Sequence, residues 1–180
     1  MPYFGSQAVL MCRNSVLLLV ICFILQHIYA QNTTDISSAD ITFTFISKDV
    51  DGSISGLKSS SNIDLAHIEN SKFVGSVTVE TLKTGNFIRD WSLKGNKYFD
   101  ADSHPRLSFE STEIVKMDDG SYSVNGNLTI KGIEKPITFR IERKDNRLLG
   151  TTTLFTSDFD IHIKNQREDN KVIVTLNFIL

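Results

Sequence analysis

The chain has 180 residues, with 19 lysines and arginines, 21 aspartates and glutamates and a net charge of −2. Proteins that bind nucleic acid usually carry a basic excess for the phosphates, so this charge argues against that class of function. Both cysteines, Cys12 and Cys22, lie among the first thirty residues. Residues 31–180 can therefore form no disulfide, thiolate nucleophile or metal site with cysteine ligands.

The N-terminal segment has the features of a secretory signal. Arg13 is the only charged residue among the first thirty, and the apolar run Val16–Leu25 follows it. This run has the length of a signal-peptide core and is short for a membrane-spanning helix. We therefore expect residues 1–30 to be a signal peptide that is cleaved after Ala30, with an uncleaved anchor as the alternative. Residues 31–180 would then form one periplasmic or secreted domain without stable membrane insertion.

Short strands follow a polar start, residues 31–40, that we expect to be frayed. Apolar residues alternate with polar ones, which is typical of strands that bury one face. The first apolar residues of the clearest segments are Ile41, Ile54, Phe73, Leu107, Tyr122, Ile137, Leu148 and Val172. Eight or nine such strands with mostly short turns favour an antiparallel up-and-down barrel or a sandwich. The periodicity does not choose between these two architectures.

The stretch Thr84–Ser111 departs from the strand pattern. Gly85 and Asn86 end a strand, and Phe87 and Trp91 then recur at helical spacing. A long connection with its own aromatic residues is usually a lid or a packed loop. Several large aromatic side chains exposed together would form a costly patch, so we expect them to cover something apolar. The four aromatic residues concerned are Phe87, Trp91, Tyr98 and Phe99.

The polar residues give only weak signals for catalysis or metal binding. Asp158, Asp160 and His162 alternate along one segment and could ligate a metal, although a solvated polar face is the commoner meaning of this pattern. His104 or His162 could act as the base of a hydrolase, but no serine lies in a recognisable nucleophile motif. The sequence therefore predicts neither a catalytic site nor a metal site.

Several blocks of the chain resemble the YceI-like family of exported bacterial lipid-binding proteins. The most specific is the segment Tyr122–Phe139, which is similar to the family's hairpin with Gly-x-Leu-Thr-Ile-x-Gly before a Lys-Pro pair. The other blocks that resemble family motifs are Thr84-Gly85-Asn86, Arg89-Asp90, Phe99-Asp100, Pro105 and Ser157-Asp158-Phe159. The chain departs from the family at Asp160, where a glycine is usual, and at Ser47–Val50, where a His-Leu-Gly-like segment is usual.

The resemblance implies an elongated all-β antiparallel up-and-down barrel of lipocalin type, with about eight strands and one short helix or lid insert. It also implies that a long isoprenoid or fatty lipid lies in the barrel, which carries or sequesters this ligand without catalysis and without a cofactor. The residues predicted to line the tunnel and its lid are Phe43, Phe45, Phe87, Trp91, Leu93, Tyr98, Phe99, Phe109, Leu128, Phe139 and Phe159.

Two polar residues near the predicted lid, Arg89 and His104, are candidates for contact with the head group of the ligand. Arginine suits multi-donor contacts with phosphates. Alternatively, an ion pair involving Arg89 and Asp90 could hold the lid to the barrel rim. The apolar strand residues could also fill a closed core, and the domain would then be a structural or stress-related interaction module without a ligand. The sequence leaves a homodimer open.

Overall fold

The computed structural model describes residues 33–180. The predicted signal peptide, with Cys12 and Cys22, lies outside the described residues. The strands are β1 Thr33–Thr34, β2 Ser38–Phe45, β3 Val50–Ser59, β4 Ile63–Asp64, β5 Val74–Lys83, β6 Arg106–Lys116, β7 Tyr122–Ile130, β8 Ile133–Lys144, β9 Arg147–Phe155 and β10 Lys171–Ile179. The helix α1 spans Phe87–Lys94. Within residues 33–180, no helix is both long enough and apolar enough to cross a bilayer.

Eight of these strands close into one antiparallel barrel. From β2 to β10, each barrel strand pairs with the next one in chain order, and β10 returns to pair with β2. The closing pair is continuous, from Val172 opposite Phe45 to Ile179 opposite Ser38. Each barrel strand therefore has a paired neighbour on both sides. The predicted up-and-down barrel is confirmed, and the sandwich alternative is wrong.

The segment before β2 is paired rather than frayed. Strand β1 forms a two-stranded sheet with β4, and the backbone N–H of Ser37 donates to the Ile179 carbonyl at 2.8 Å. The expectation of a frayed start is therefore wrong for residues 33–40. Polar side chains in this segment suggested exposure, but the backbone groups find partners on strands that are distant in sequence.

Two phenylalanine rings enter the barrel at positions where a neighbouring strand has glycine. Phe43 is the register partner of Gly52, and a Cβ on Gly52 would overlap the Phe43 ring. Phe109 lies beside Gly126 in the same way, with its Cζ 2.5 Å from where a Gly126 Cβ would lie. The missing side chains therefore provide the space that these two rings occupy.

The two ends of the barrel carry different connections. One end, which we call the covered end, carries the β6–β7 and β8–β9 turns and the connection 60–73. Ile63 and Ile68 of this connection are 0% and 1% exposed, so they pack deeply against the barrel. The opposite end, which we call the helical end, carries α1, the Lys131–Gly132 turn and the connection 156–170.

Asp160 keeps the turn that the YceI-like pattern assigns to glycine. It has φ 56° and ψ 33°, the left-handed conformation, directly after a 3₁₀ turn over Thr156–Phe159. Aspartate adopts this conformation more readily than most residues with a side chain. Lys131 Nζ lies 3.2 Å from the Asp160 carbonyl oxygen and 3.4 Å from its carboxylate. The substitution therefore preserves the backbone geometry and adds a contact to the β7–β8 turn.

We expect Gly126→Val to lower the free energy of unfolding by about 1–3 kcal/mol. The new Cβ would overlap the Glu110 carbonyl oxygen and press on the Phe109 ring. Thr129→Val is the control. It places a valine on the outer side of the same strand with almost no change in side-chain volume, so it should have little effect. Urea denaturation compares the two variants. Equal free energies of unfolding would contradict the close packing at Gly126.

We expect Asp160→Val to lower the Tm by about 2–8 °C, because a β-branched residue is strained in the left-handed conformation. Asp160→Gly removes the same carboxylate but accepts the backbone geometry, so it should melt much closer to the unmodified protein. Thermal unfolding followed by circular dichroism measures both. If the valine and glycine variants melted together, the effect would come from the lost Lys131 contact instead.

Candidate functional site

The barrel encloses a cavity of about 680 Å³. Ile36 and Phe178 line it near the covered end, and Phe159 and Ile161 line it at the helical end, so it extends along the barrel. Its volume falls within the range of about 300–1,000 Å³ that is typical of small-molecule sites. The alternative of a barrel filled by its own side chains therefore does not describe this interior.

Ten of the residues predicted to contact a ligand line the cavity. They come from four strands, from α1 and from the connections at the helical end. These residues are Phe43, Phe45, Arg89, Leu93, Tyr98, Phe99, Phe109, Leu128, Phe139 and Phe159. The Phe109 and Phe139 rings also meet edge to face, with centroids 5.2 Å apart, which fixes part of the wall.

The other three predicted residues lie away from the cavity. Phe87 and Trp91 are 83% and 73% exposed, whereas Arg89, Asp90 and Leu93 of the same helix are half-buried. The expectation that Phe87 and Trp91 cap the cavity is wrong, because α1 turns its other side toward the barrel.

His104 was expected near a ligand head group. Its ring packs against the β7–β8 turn, where a Cβ on Gly132 would lie 2.9 Å from Cε1. His104 is not among the residues that line the cavity, so this expectation is also wrong.

Most of the aliphatic wall is not among the residues predicted from the sequence to contact a ligand. The largest contribution comes from inward positions of the barrel strands, which are Ile41, Ile54, Leu107, Val124, Ile130, Ile141, Leu154, Val172, Val174 and Leu176. The alternation of apolar and polar residues shows that these positions lie on the buried face of a strand. The same alternation occurs whether the interior is packed or hollow. Their role in lining a cavity therefore emerges only from the closed barrel.

Polar lining residues are concentrated at the helical end. They include Lys48 in the β2–β3 connection and Thr84, Asn86, Arg89 and Ser92 around α1. Among the residues that line the cavity, the two charged ones are Lys48 and Arg89, and both are cations. The cavity therefore combines a long apolar interior with a positively charged mouth.

Thr84 anchors α1 to the end of β5. The Thr84 backbone N–H and hydroxyl donate to Asp90 Oδ1 at 2.8 and 2.5 Å. Arg89 Nε donates to the Thr84 hydroxyl oxygen at 2.6 Å, and its Nη2 donates to the Thr84 carbonyl at 2.7 Å. Asn86 caps the helix by accepting from the Arg89 backbone N–H at 3.0 Å. Arg89 thus holds the helix to the rim, but through Thr84 rather than through an ion pair.

The connection 156–170 forms the other part of the helical end. Arg167 donates to both oxygens of Asp158, from Nε at 2.8 Å and from Nη2 at 2.7 Å. These hydrogen bonds lower the pKa of Asp158 below its usual value. The Arg167 guanidinium also lies 3.6 Å from the centroid of the Phe155 ring. The paired charges and the stacking together fix the shape of the connection.

A buried asparagine organises the remainder of this connection. The Asn170 side chain is 0% exposed, and its Oδ1 accepts from the backbone N–H groups of Ile163 and Lys164, both at 2.9 Å. Its Nδ2 donates to the carbonyls of Lys164 and Gln166 at 2.9 and 2.7 Å. All four hydrogen bonds that an amide side chain can make are therefore used within the loop.

Two of the candidate metal ligands, the carboxylates of Asp158 and Asp160, have protein partners. Asp158 is bound by Arg167, and Asp160 lies 3.4 Å from Lys131 Nζ. Among residues 33–180, no group of three histidine, cysteine, aspartate or glutamate side chains is placed to hold a metal ion. The alternation of Asp158, Asp160 and His162 belongs to the polar surface of the helical end.

Residues 32–179 match the family model described as a YceI-like domain. A UPF0312 protein of Vibrio parahaemolyticus is 30% identical to this chain over 112 residues, which is 57% of this chain and 59% of that protein. The aligned region therefore spans less than two thirds of that relative.

Solved structures share the barrel. BcnA of Burkholderia cenocepacia superposes with a TM-score of 0.68 at 16% identity, covering 79% of this chain and 96% of that one. A polyisoprenoid-binding domain from Saccharophagus degradans, implicated in plant cell wall breakdown, superposes with a TM-score of 0.56 at 12% identity, covering 81% and 95%. At these identities the likeness concerns the fold.

Proposed function

Since this chain belongs to the YceI-like family, we propose that its barrel binds a long-chain apolar ligand, a polyisoprenoid or a related isoprenoid or fatty lipid, and carries or sequesters it without catalysis. The observation that carries this proposal is the cavity of about 680 Å³, whose wall is formed mainly by aliphatic and aromatic side chains. Removing apolar surface from water contributes about 25 cal/mol per Å², so a long hydrocarbon is the ligand that gains most from such a wall.

The shared barrel supports this class of ligand. The Saccharophagus degradans domain is described as polyisoprenoid-binding, and it covers 81% of this chain with the same fold. The cavity of this chain is itself apolar and extends along the barrel, which fits the same class of ligand. A ligand of this kind would lie along the barrel, in contact with strands from all sides.

A carrier fits the lining better than an enzyme does. Neither His104 nor His162 is among the residues that line the cavity, so a ligand held there meets no imidazole base from the described chain. The pair of His162 and Asp160, with Nε2 and Oδ1 3.7 Å apart, lies on the exposed surface. These placements favour binding over hydrolysis as the activity of the domain.

The charged mouth suggests how the ligand is oriented. Lys48 and Arg89 both line the cavity at the helical end. Arginine and lysine bind phosphate and carboxylate groups through charge-assisted hydrogen bonds. We therefore place an anionic head group at the helical end and the apolar tail toward the covered end. We further propose that residues 1–30 direct the domain to the periplasm or to the exterior.

Filling the cavity tests the proposed function. We expect Val174→Trp to weaken uptake of a lipophilic fluorescent dye by about tenfold or more, equivalent to about 1.4 kcal/mol, because the indole would occupy the tunnel. Thr175→Trp adds the same side chain on the outer side of the same strand, where residue 175 is exposed, and serves as the control. Dye titration and mass spectrometry of lipids that copurify measure both. Equal binding by the two variants would refute a ligand site inside the barrel.

The head-group role of Arg89 can be separated from its anchoring role. We expect Arg89→Ala to weaken binding of a polyisoprenyl phosphate by about 10- to 100-fold, the loss for a hydrogen bond to a charged group, and to spare the uncharged alcohol. Thr84→Val removes the hydroxyl that anchors α1 but keeps the cation. Competition against a bound dye measures all four combinations. If Thr84→Val weakened phosphate binding as much as Arg89→Ala does, Arg89 would act only as an anchor.

A further inference from the structure

The outer side of α1 carries three large apolar side chains in contact with solvent. Phe87, Ile88 and Trp91 are 83%, 76% and 73% exposed, and we call them the α1 outer face. Residues four apart lie on one side of a helix, so the two aromatic rings are neighbours. An exposed cluster of this kind on a water-soluble surface usually marks a binding surface.

The α1 outer face continues into the cavity. Ile88 lines the cavity and is also 76% exposed, so its side chain belongs to both surfaces. Arg89 and Leu93, on the other side of the helix, line the cavity as well. An apolar chain that leaves through the helical end would pass directly from the barrel wall to this face.

The segment 83–97, which contains α1, differs in the sign of its charge from the whole chain. Residues 83–97 hold one acidic residue, Asp90, and four basic residues, which are Lys83, Arg89, Lys94 and Lys97. One of the four, Lys94, lies 3.4 Å from Glu80. The chain as a whole has a net charge of −2. A positive segment of this kind is attracted to a surface of anionic lipids even when the rest of the protein is not.

We propose that the α1 outer face docks on an anionic phospholipid bilayer, with Phe87, Ile88 and Trp91 at the boundary between head groups and acyl chains. Short helices with aromatic residues on one side and flanking basic residues bind membranes in this way. Tryptophan in particular favours this boundary. The purpose of this docking rests on the proposed function: a docked barrel could exchange a water-insoluble ligand with the bilayer without exposing the ligand to water.

Trp91 makes docking directly measurable. It is the one tryptophan of the chain, so its emission reports on this face alone. When the purified protein meets vesicles of phosphatidylcholine and phosphatidylglycerol, we expect the emission to shift to the blue and to be quenched by lipids brominated high on the acyl chain. Vesicles of phosphatidylcholine alone should give a weaker response, because the electrostatic attraction is missing.

The double variant Phe87→Ser/Ile88→Ser should bind the anionic vesicles about tenfold or more weakly, because two large apolar side chains no longer insert. Met117→Ser is the matched control, since Met117 is 45% exposed and follows β6 at the covered end. Vesicle cosedimentation measures both variants. Equal binding by the two variants, or a Trp91 emission spectrum that does not change when anionic vesicles are added, would overturn the proposal.

Two further outcomes keep this proposal separate from the proposed function. If the protein were a dimer in buffer, with Trp91 already blue-shifted and with dissociation in the double variant, the face would be a self-association surface and the proposal would fail. Dye uptake into the cavity, measured without vesicles, tests ligand binding alone. Vesicle binding without dye uptake would support membrane docking and refute ligand binding in the cavity. Dye uptake without vesicle binding would support ligand binding and refute membrane docking.

Discussion

The pairing of β10 with β2 is the constraint on which the rest of this structure depends. It joins the first and last barrel strands over eight residue pairs, from Ser38 with Ile179 to Phe45 with Val172. Once the sheet is closed, every inward side chain must share an interior of fixed circumference. Glycines at 52 and 126 leave room for the rings of neighbouring strands, and the aliphatic side chains of the inward positions line the remaining cavity. The strands of the closed sheet therefore provide most of the cavity wall.

The helical end depends on a much smaller set of contacts. An isolated helix of eight residues is marginal in water, and α1 buries none of its side chains fully. Its orientation comes from Thr84, which bonds both Arg89 and Asp90. The same contacts that turn Arg89 and Leu93 toward the cavity turn Phe87 and Trp91 toward solvent. The polar mouth and the exposed apolar face are thus two results of one anchoring arrangement.

Much of the fold could be predicted from the sequence, because a strand that buries one face alternates visibly. The segment Tyr122–Phe139 shows this well: it forms β7, the turn at Lys131–Gly132 and most of β8. Barrel closure could not be predicted from alternation, since it depends on which strands pair across long sequence separations. The hollow interior could not be predicted for the same reason, because it depends on the register that places Gly126 beside Phe109.

The aromatic residues of the long connection show a different limit of the sequence. Spacing correctly predicted that Phe87 and Trp91 share one side of a helix, and the cost of exposure suggested that this side faces the barrel. The side chains that decide the orientation are Thr84 and Asp90, which are small and polar and give no periodic signal. The connection 156–170 is similar, because its shape depends on the amide of Asn170 bonding four backbone groups.

The covered end sets how a barrel of this kind can move a cargo. Ile63 and Ile68 of the connection 60–73 are buried against the barrel at this end, and under the proposed function the ligand enters and leaves through the opposite, helical end. Under the proposed function, a lipid that enters tail first must leave head first, and its polarity is preserved on each trip. Because the lipid enters and leaves by the same end, loading and release are the same step in opposite directions. The direction of net transport is then set by the difference in chemical potential of the lipid between donor and acceptor surfaces, and the protein itself needs no energy source.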